Sequence, residues 1–316
     1  MSAISTLAQQ SLFLQTISQL QTQGNTLESQ VATGLQSSNL EGYGATAGQL
    51  TNLQDQISQD QSYSNAISTV QQNIQQSTTA LSAIESAVQN FASGLQTSAY
   101  NTSPNTVQET ASQLLQEVGD FLNTQGADGY IFSGSLTNTA PFNANGLPNP
   151  GSLTTAVNGA PPNGYYAGND TAASATVDNN LTIQYGVTAD NPAIENIVRT
   201  LNFLANLPAG SPSSTSATDQ ANVDQAQNLL DQGVSGLQSV IGGLASKNSE
   251  LNQVQQEQQN AINLAQTNLT NIESINPATV ISQLNQLETT MQASYATISS
   301  LQKMSLVNYL STTAVG

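Results

Sequence analysis

The chain has 316 residues, of which 37% are hydrophobic and only 7% charged, with a formal net charge of −17. Arg199, Lys247 and Lys303 are its only cations, too few to neutralise nucleic-acid phosphates or an anionic membrane surface. Cysteine and histidine are absent, which excludes disulfide staples and histidine-based metal sites or general bases, so no metal and no cofactor is expected.

No run of residues approaches the ~18 apolar positions of a membrane span. The N-terminus lacks the basic region and long apolar core of a cleaved secretory signal. The expected location is the cytoplasm, or the exterior by a route that reads no cleaved signal.

The first predicted helix runs from about Ile4 to Gly34. Its stripe is Ile4, Leu7, Ser11, Leu14, Ile17, Leu20, Gly24, Leu27 and Val31, stepping by threes and fours as a heptad seam does. Two successive steps of three, Leu14 to Ile17 to Leu20, overwind such a seam locally. Gly34 is suited to end the helix in left-handed geometry, and residues 34–46 read as a loop. A second helix covers about Ala47 to Thr97, with Ile67, Val70, Ile74, Leu81, Ile84, Val88 and Leu95 in one stripe. Asn101 to Pro104 breaks it. A third helix carries Val107, Ala111, Leu114, Val118 and Phe121, widened by Leu115 and Leu122 into a bundle face.

Composition changes at Gly126. From there to Asn191 the chain is rich in Gly, Asn, Pro and Thr. Tyr130–Ser133 and Ala175–Val177 read as short strands. Leu181, Ile183, Tyr185 and Val187 alternate along a half-buried strand, entered through a turn at Asp178–Asn180. Asn191-Pro192 is a helix start, with Asn as cap and Pro in the first helical position. The helix it opens carries Ile194, Ile197, Leu201 and Leu204 and ends near Pro208. After a Ser/Pro linker, a long helix spans about Asp219 to Ile275, which Gly242-Gly243 is expected to soften. Pro277 separates it from the final helix, with Asn276 in the cap region.

That final helix carries the sharpest pattern. Val280, Leu284, Leu287, Met291, Ser294, Ile298, Leu301, Ser305 and Asn308 alternate steps of four and three. Such a stripe needs a covering partner, and the first helix, of similar length at about 46 Å, is the natural antiparallel one. Met304, Leu306, Tyr309 and Leu310 lie off the seam, so the last two turns are apolar most of the way round. Either they belong to an internal core, or neighbouring copies or another protein bury them. The expected fold is mainly α: a long antiparallel coiled-coil bundle from both chain ends with a small β-rich insertion in the middle. Three parts are expected: 1–125 helical, 126–191 the insertion, and 192–316 helical, completing the bundle. Glu109 with Glu117, or Asp55 with Asp60, can be written as carboxylate pairs, yet they fall on polar helix faces without the cleft that acid–base work needs. No enzyme is expected. A generic coiled-coil or tail-fibre protein would show repeats, and none is evident.

The same stretches carry a family likeness. Leu284-Asn-Gln-Leu-Glu-Thr-Thr-Met-Gln-Ala-Ser-Tyr295, followed by Leu301-Gln-Lys-Met-Ser-Leu-Val-Asn-Tyr-Leu310, resembles the C-terminal signature of the bacterial flagellin family. Ile4-Ser-Thr6, Gln30-Val-Ala-Thr-Gly-Leu35 and Gly129-Tyr-Ile-Phe-Ser-Gly134 resemble its N-terminal and third-helix motifs, the last in the hook–filament junction branch. Gln36 departs from the basic residue usual there, and Leu40–Gly44 replaces an acidic Asp-Asp-Pro. The resemblance implies a structural subunit of the bacterial flagellum at the hook–filament junction, with the filament flagellin as the alternative. It implies export without a cleaved signal and an extracellular place on the flagellum. Implied partners are copies of itself, other hook-associated and flagellin subunits, and an export chaperone. Its candidate assembly residues are Ile4, Leu7, Leu14, Ile17, Leu20, Leu27 and Val31 on the first helix. On the last they are Leu284, Leu287, Met291, Ile298, Leu301, Met304, Leu306, Tyr309 and Leu310.

Overall fold

The computed structural model describes residues 2–101, 104–150, 152–159, 164–208 and 210–313, with the side chains of 2–10, 96–101, 104, 302 and 304–313 outside that description. In chain order the elements are α1 (Ser2–Thr33), a three-ten segment (Leu40–Thr46), α2 (Ala47–Asn101) and α3 (Pro104–Leu122). Then come β1 (Gln125–Gly126), β2 (Gly129–Tyr130), β3 (Ser174–Asp178), β4 (Leu181–Gln184), α4 (Pro192–Ala205), α5 (Ala217–Glu273) and α6 (Pro277–Thr313). The architecture is therefore mainly helical, with long helices from both ends and two small antiparallel strand pairs in the middle.

Two compact units divide the chain: Met1–Ser58 with Ile262–Gly316, and Gln59–Ala261. The second unit holds the larger core. Ile67, Leu81 and Ile84 of α2, Val118 and Leu122 of α3, Ile194 and Leu201 of α4, and Leu230 and Leu237 of α5 are fully buried in one cluster. Phe132, Tyr165, Val177 and Ile183 of the insertion join the same cluster. The stripes predicted for α2, α3, α4 and α5 thus face one another, as helices with a wide apolar face must. The Tyr165 ring lies 5.4 Å from that of Phe142. Its hydroxyl donates to the carbonyl of Ala189 at 2.7 Å, which satisfies the polar end of a buried aromatic.

Local chemistry explains the element starts. Asn191 Oδ1 accepts from the backbone N–H of Ala193 at 3.0 Å, with Pro192 opening α4. Asn276 Oδ1 accepts from that of Ala278 at 3.1 Å, with Pro277 opening α6. Both are Asn-Pro starts in which the cap fills one of the helix's unpaired donors. Within the helices, many Ser and Thr hydroxyls donate to the carbonyl four residues back, as Thr16, Thr22, Thr26 and Thr33 do in α1. That satisfies polar side chains in a mid-helix position.

Among the described residues each ion pair lies within a single helix, and side-chain amides link one helix to another. Gln71 donates to Asn252 at 2.8 Å and Gln238 to Glu85 at 2.7 Å, both linking α2 to α5. Gln258 donates to the carbonyl of Val177 at 3.4 Å, and Gln59 to Asn179 at 2.8 Å, tying the β3–β4 hairpin to α5 and α2. In each of these bonds a glutamine amide donates, where most helix pairs carry Glu–Lys pairs.

Three expectations are corrected. The strand expected at Tyr130–Ser133 ends at Tyr130, because Gly129 (φ 112°) and Gly134 (φ 69°) turn the chain on either side and Ser133 Oγ folds back onto the carbonyl of Tyr130 at 2.9 Å. The loop at 34–46 contains the three-ten segment, capped by Asn39. α5 runs unbroken through Gly242-Gly243, where softening was expected rather than a break. The strand expected over Leu181–Val187 pairs with Ser174–Asp178 but ends at Gln184, where the N–H groups of Tyr185 and Gly186 both turn to the Ala173 carbonyl; Val177 and Ile183 face inward.

Candidate assembly interface

Within the first unit, α1 and α6 run antiparallel. Leu27, Val280 and Leu287 are buried together, with Leu20, Leu284 and Ile275 packed against them. Leu287 Cδ2 lies 3.4 Å from where a Cβ on Gly24 would sit, so the glycine lets the helices close there. One turn further along, Gln21 Nε2 donates to the Tyr295 hydroxyl at 3.0 Å. Gln21 thus meets Tyr295 and Gly24 meets Leu287, in the descending order that the expected antiparallel pairing requires.

The turn after α1 is clamped. Gly34 takes φ +73° and its N–H donates to Gln30, the left-handed C-terminal cap that only glycine adopts without strain. The chain then pairs with the α5–α6 joint: Ile275 N–H donates to Gly34 at 3.0 Å and Gln36 N–H to Glu273 at 2.7 Å, around a Leu35–Ser274 bridge. Tyr43, buried, donates from its hydroxyl to the carbonyl of Ser37 at 2.8 Å. Sequence reasoning missed this clamp, since its partners are far apart in the chain and no periodicity marks them.

The predicted assembly residues fall into three groups. Ile17, Leu27 and Leu287 are buried, and Leu20, Leu284, Met291, Ile298 and Leu301 half-buried. Leu14 and Val31 are 57% and 38% exposed. They lie on the predicted stripe, but α6 does not cover them. The side chains of Ile4, Leu7, Met304, Leu306, Tyr309 and Leu310 lie outside the described residues. Leu12, Leu35, Leu40, Leu264 and Ile281 are also exposed and were not foreseen. Leu12 and Ile281 sit one or two places off the seam, where heptad counting assigns solvent.

Elsewhere the arrangement offers little chemistry. Glu109, Glu117 and Asp55 are exposed and Asp60 half-buried, and no group of three metal-ligating side chains occurs among the described residues. The perturbed groups cluster in the insertion. Burial raises the pKa of the Tyr165 phenol, helped by the nearby charges of Glu195 and Asp190. Burial also raises that of the Asp190 carboxyl. Asp170 adds to the rise, and a hydrogen bond from Thr188 opposes it. Among the described residues no helix is long and apolar enough to cross a membrane.

The chain ends are thus closed only in part and carry exposed leucines on a helical surface with few charges. Residues 4–137 match the family described as the bacterial flagellin N-terminal helical region. That match takes in α1, α2, α3 and the β1–β2 pair. No curated protein matches it in sequence. Among solved structures, a Vibrio parahaemolyticus protein assigned as a flagellar hook-associated protein superposes with a TM-score of 0.57 at 15% identity, covering 72% of this chain and 97% of that one. This likeness establishes a shared fold. FlgL of Bacillus cereus aligns over 73% of this chain and 96% of its own at 12% identity, with a TM-score of 0.37, too loose a superposition to carry weight.

Proposed function

We propose that the chain is a structural, non-enzymatic subunit of the bacterial flagellum that joins hook to filament by helical packing of its terminal helices. The match of residues 4–137 to the flagellin N-terminal helical region carries this reading. The shared fold with a flagellar hook-associated protein supports it. So do the exposed leucines of the first unit, which neighbouring subunits would bury. Its partners are then copies of itself, other hook-associated proteins and flagellin. It leaves the cell through the flagellar export channel without a cleaved signal, escorted beforehand by a chaperone on a terminal helix. Ile4, Leu7, Leu14 and Val31 on α1 and Met304, Leu306, Tyr309 and Leu310 on α6 are the assembly residues this reading favours.

Electron microscopy of cells lacking the protein tests it. Hooks without filaments, with flagellin shed into the medium, are expected. Intact filaments on such cells would sink the junction role, and thousands of copies per flagellum would make the chain a filament subunit instead. A chain ending before Ser305 should remain helical and soluble yet fail to restore filaments.

A further inference from the structure

We propose that Lys303 is the point at which this chain engages a carboxylate on a second copy of itself, and so sets how neighbouring copies align. The proposal rests on the assembly reading above. Three cations stand against 20 acidic residues. Arg199 is held within α4, its guanidinium 3.5 Å from Glu195 and donating to Asn196, with both members of the ion pair largely buried. Lys247 is held within α5, 3.0 Å from Glu250. Lys303 is exposed and, among the described residues, has no ion-pair partner. It follows Leu301 by two places, which is about 200° around an α-helix, so it projects from α6 away from the seam that Leu301 continues.

Two copies of a chain with net charge −17 repel one another. The surfaces they bring together are acidic or uncharged except where a free cation stands. At Lys303 a carboxylate is attracted, and it is attracted at one height and one azimuth of one helix. Charge used sparingly in this way selects register and partner more than it adds affinity. The same unit of the neighbouring copy offers Glu28, Glu41, Asp55 and Glu288, all exposed.

Carbodiimide coupling tests this directly, because it condenses an amine with a touching carboxylate, with loss of water, and the chain has only two lysines. The crosslink is sought in the purified full-length protein and in flagella sheared from cells. The expected bridging peptide between copies contains Lys303. Lys303→Arg should lose the crosslink and keep the association seen by sedimentation. Lys303→Gln should associate about 1.4- to 5-fold more weakly at about 0.05 M salt, with the gap closing near about 0.5 M, and Lys303→Glu more weakly still. Circular dichroism should be unchanged in all three. If Lys303→Glu associates like the native chain, or copies are bridged only through Lys247 or the terminal amine, or not at all in either sample, the proposal is overturned. A chain absent from sheared flagella removes the assembly reading instead, and the proposal with it.

Discussion

The second unit buries Ile67, Leu81, Ile84, Leu201, Leu204 and Leu230 completely, whereas the largest apolar cluster between α1 and α6 is Leu27, Val280 and Leu287 with three partners. Among the described residues nine large apolar side chains are exposed, and all but Leu136 belong to the first unit. Both units draw on the same Gln-, Asn-, Ser- and Thr-rich helices, so composition does not separate them. What separates them is the number of faces covered. In the second unit each stripe meets helices and insertion together. In the first unit α1 and α6 meet each other along one side. A two-helix pair of this kind is marginal by itself, and it stays ready to gain surface from neighbours.

The largest effect that could break this comparison is a core truncation. Leu201→Ala should cost about 2–5 kcal/mol, since the residue is fully buried in the main cluster. Leu287→Ala, in the small cluster, should cost less than about 2 kcal/mol, because the surrounding helices can close or let water in. Chemical denaturation of the two variants decides it. Equal losses would mean that the first unit is as closed as the second.

A smaller effect probes the clamp. Gly34 sits at φ +73°, where an alanine costs about 1–2 kcal/mol. Gly34→Ala should therefore loosen the Gly34–Ile275 and Gln36–Glu273 bonds and speed hydrogen exchange at Gln36 and Ile275. The core amides of α4 should exchange as before. If exchange rises equally in both units, the clamp is not a local device of the first.

The insertion supplies a pH test. Burial and Asp170 together raise the Asp190 carboxyl pKa, so the folded chain holds this proton where the unfolded chain has released it. The stabilising contribution is full below the ordinary carboxylate range and is lost as pH rises through the raised value. Between about pH 4 and about pH 7 the native protein should lose more melting temperature than Asp190→Asn does. Parallel profiles would show that Asp190 is not the responsive group.

How far the sequence could be read follows from the same contrast. The antiparallel pairing of α1 with α6, the Gly34 turn and the starts at Asn191-Pro192 and Asn276-Pro277 were all legible, because each rests on periodicity or on chemistry within a few residues. The exposure of Leu14 and Val31 was not. A heptad pattern says which residues share a face but not whether the opposing helix covers it along its whole length. The pairing of Leu35 with Ser274 was illegible for another reason: backbone bridges between distant loops leave no side-chain pattern. The early end of the β2 strand belongs here too, since the apolar run through Phe132 is equally consistent with a buried turn.

The smallest expected change in the isolated chain sharpens the comparison most. Leu14 is 57% exposed, so Leu14→Ser removes little packing and should shift monomer stability by no more than about 0.5 kcal/mol. In the second unit no leucine on a helical stripe is so free. If the first unit is left open for neighbours, the same substitution should lower the number of filaments that cells carry, while the purified protein melts as the native one does. A variant that melts like the native chain and also restores full motility would leave Leu14 an ordinary surface residue, and the openness of α1 at that height without a partner.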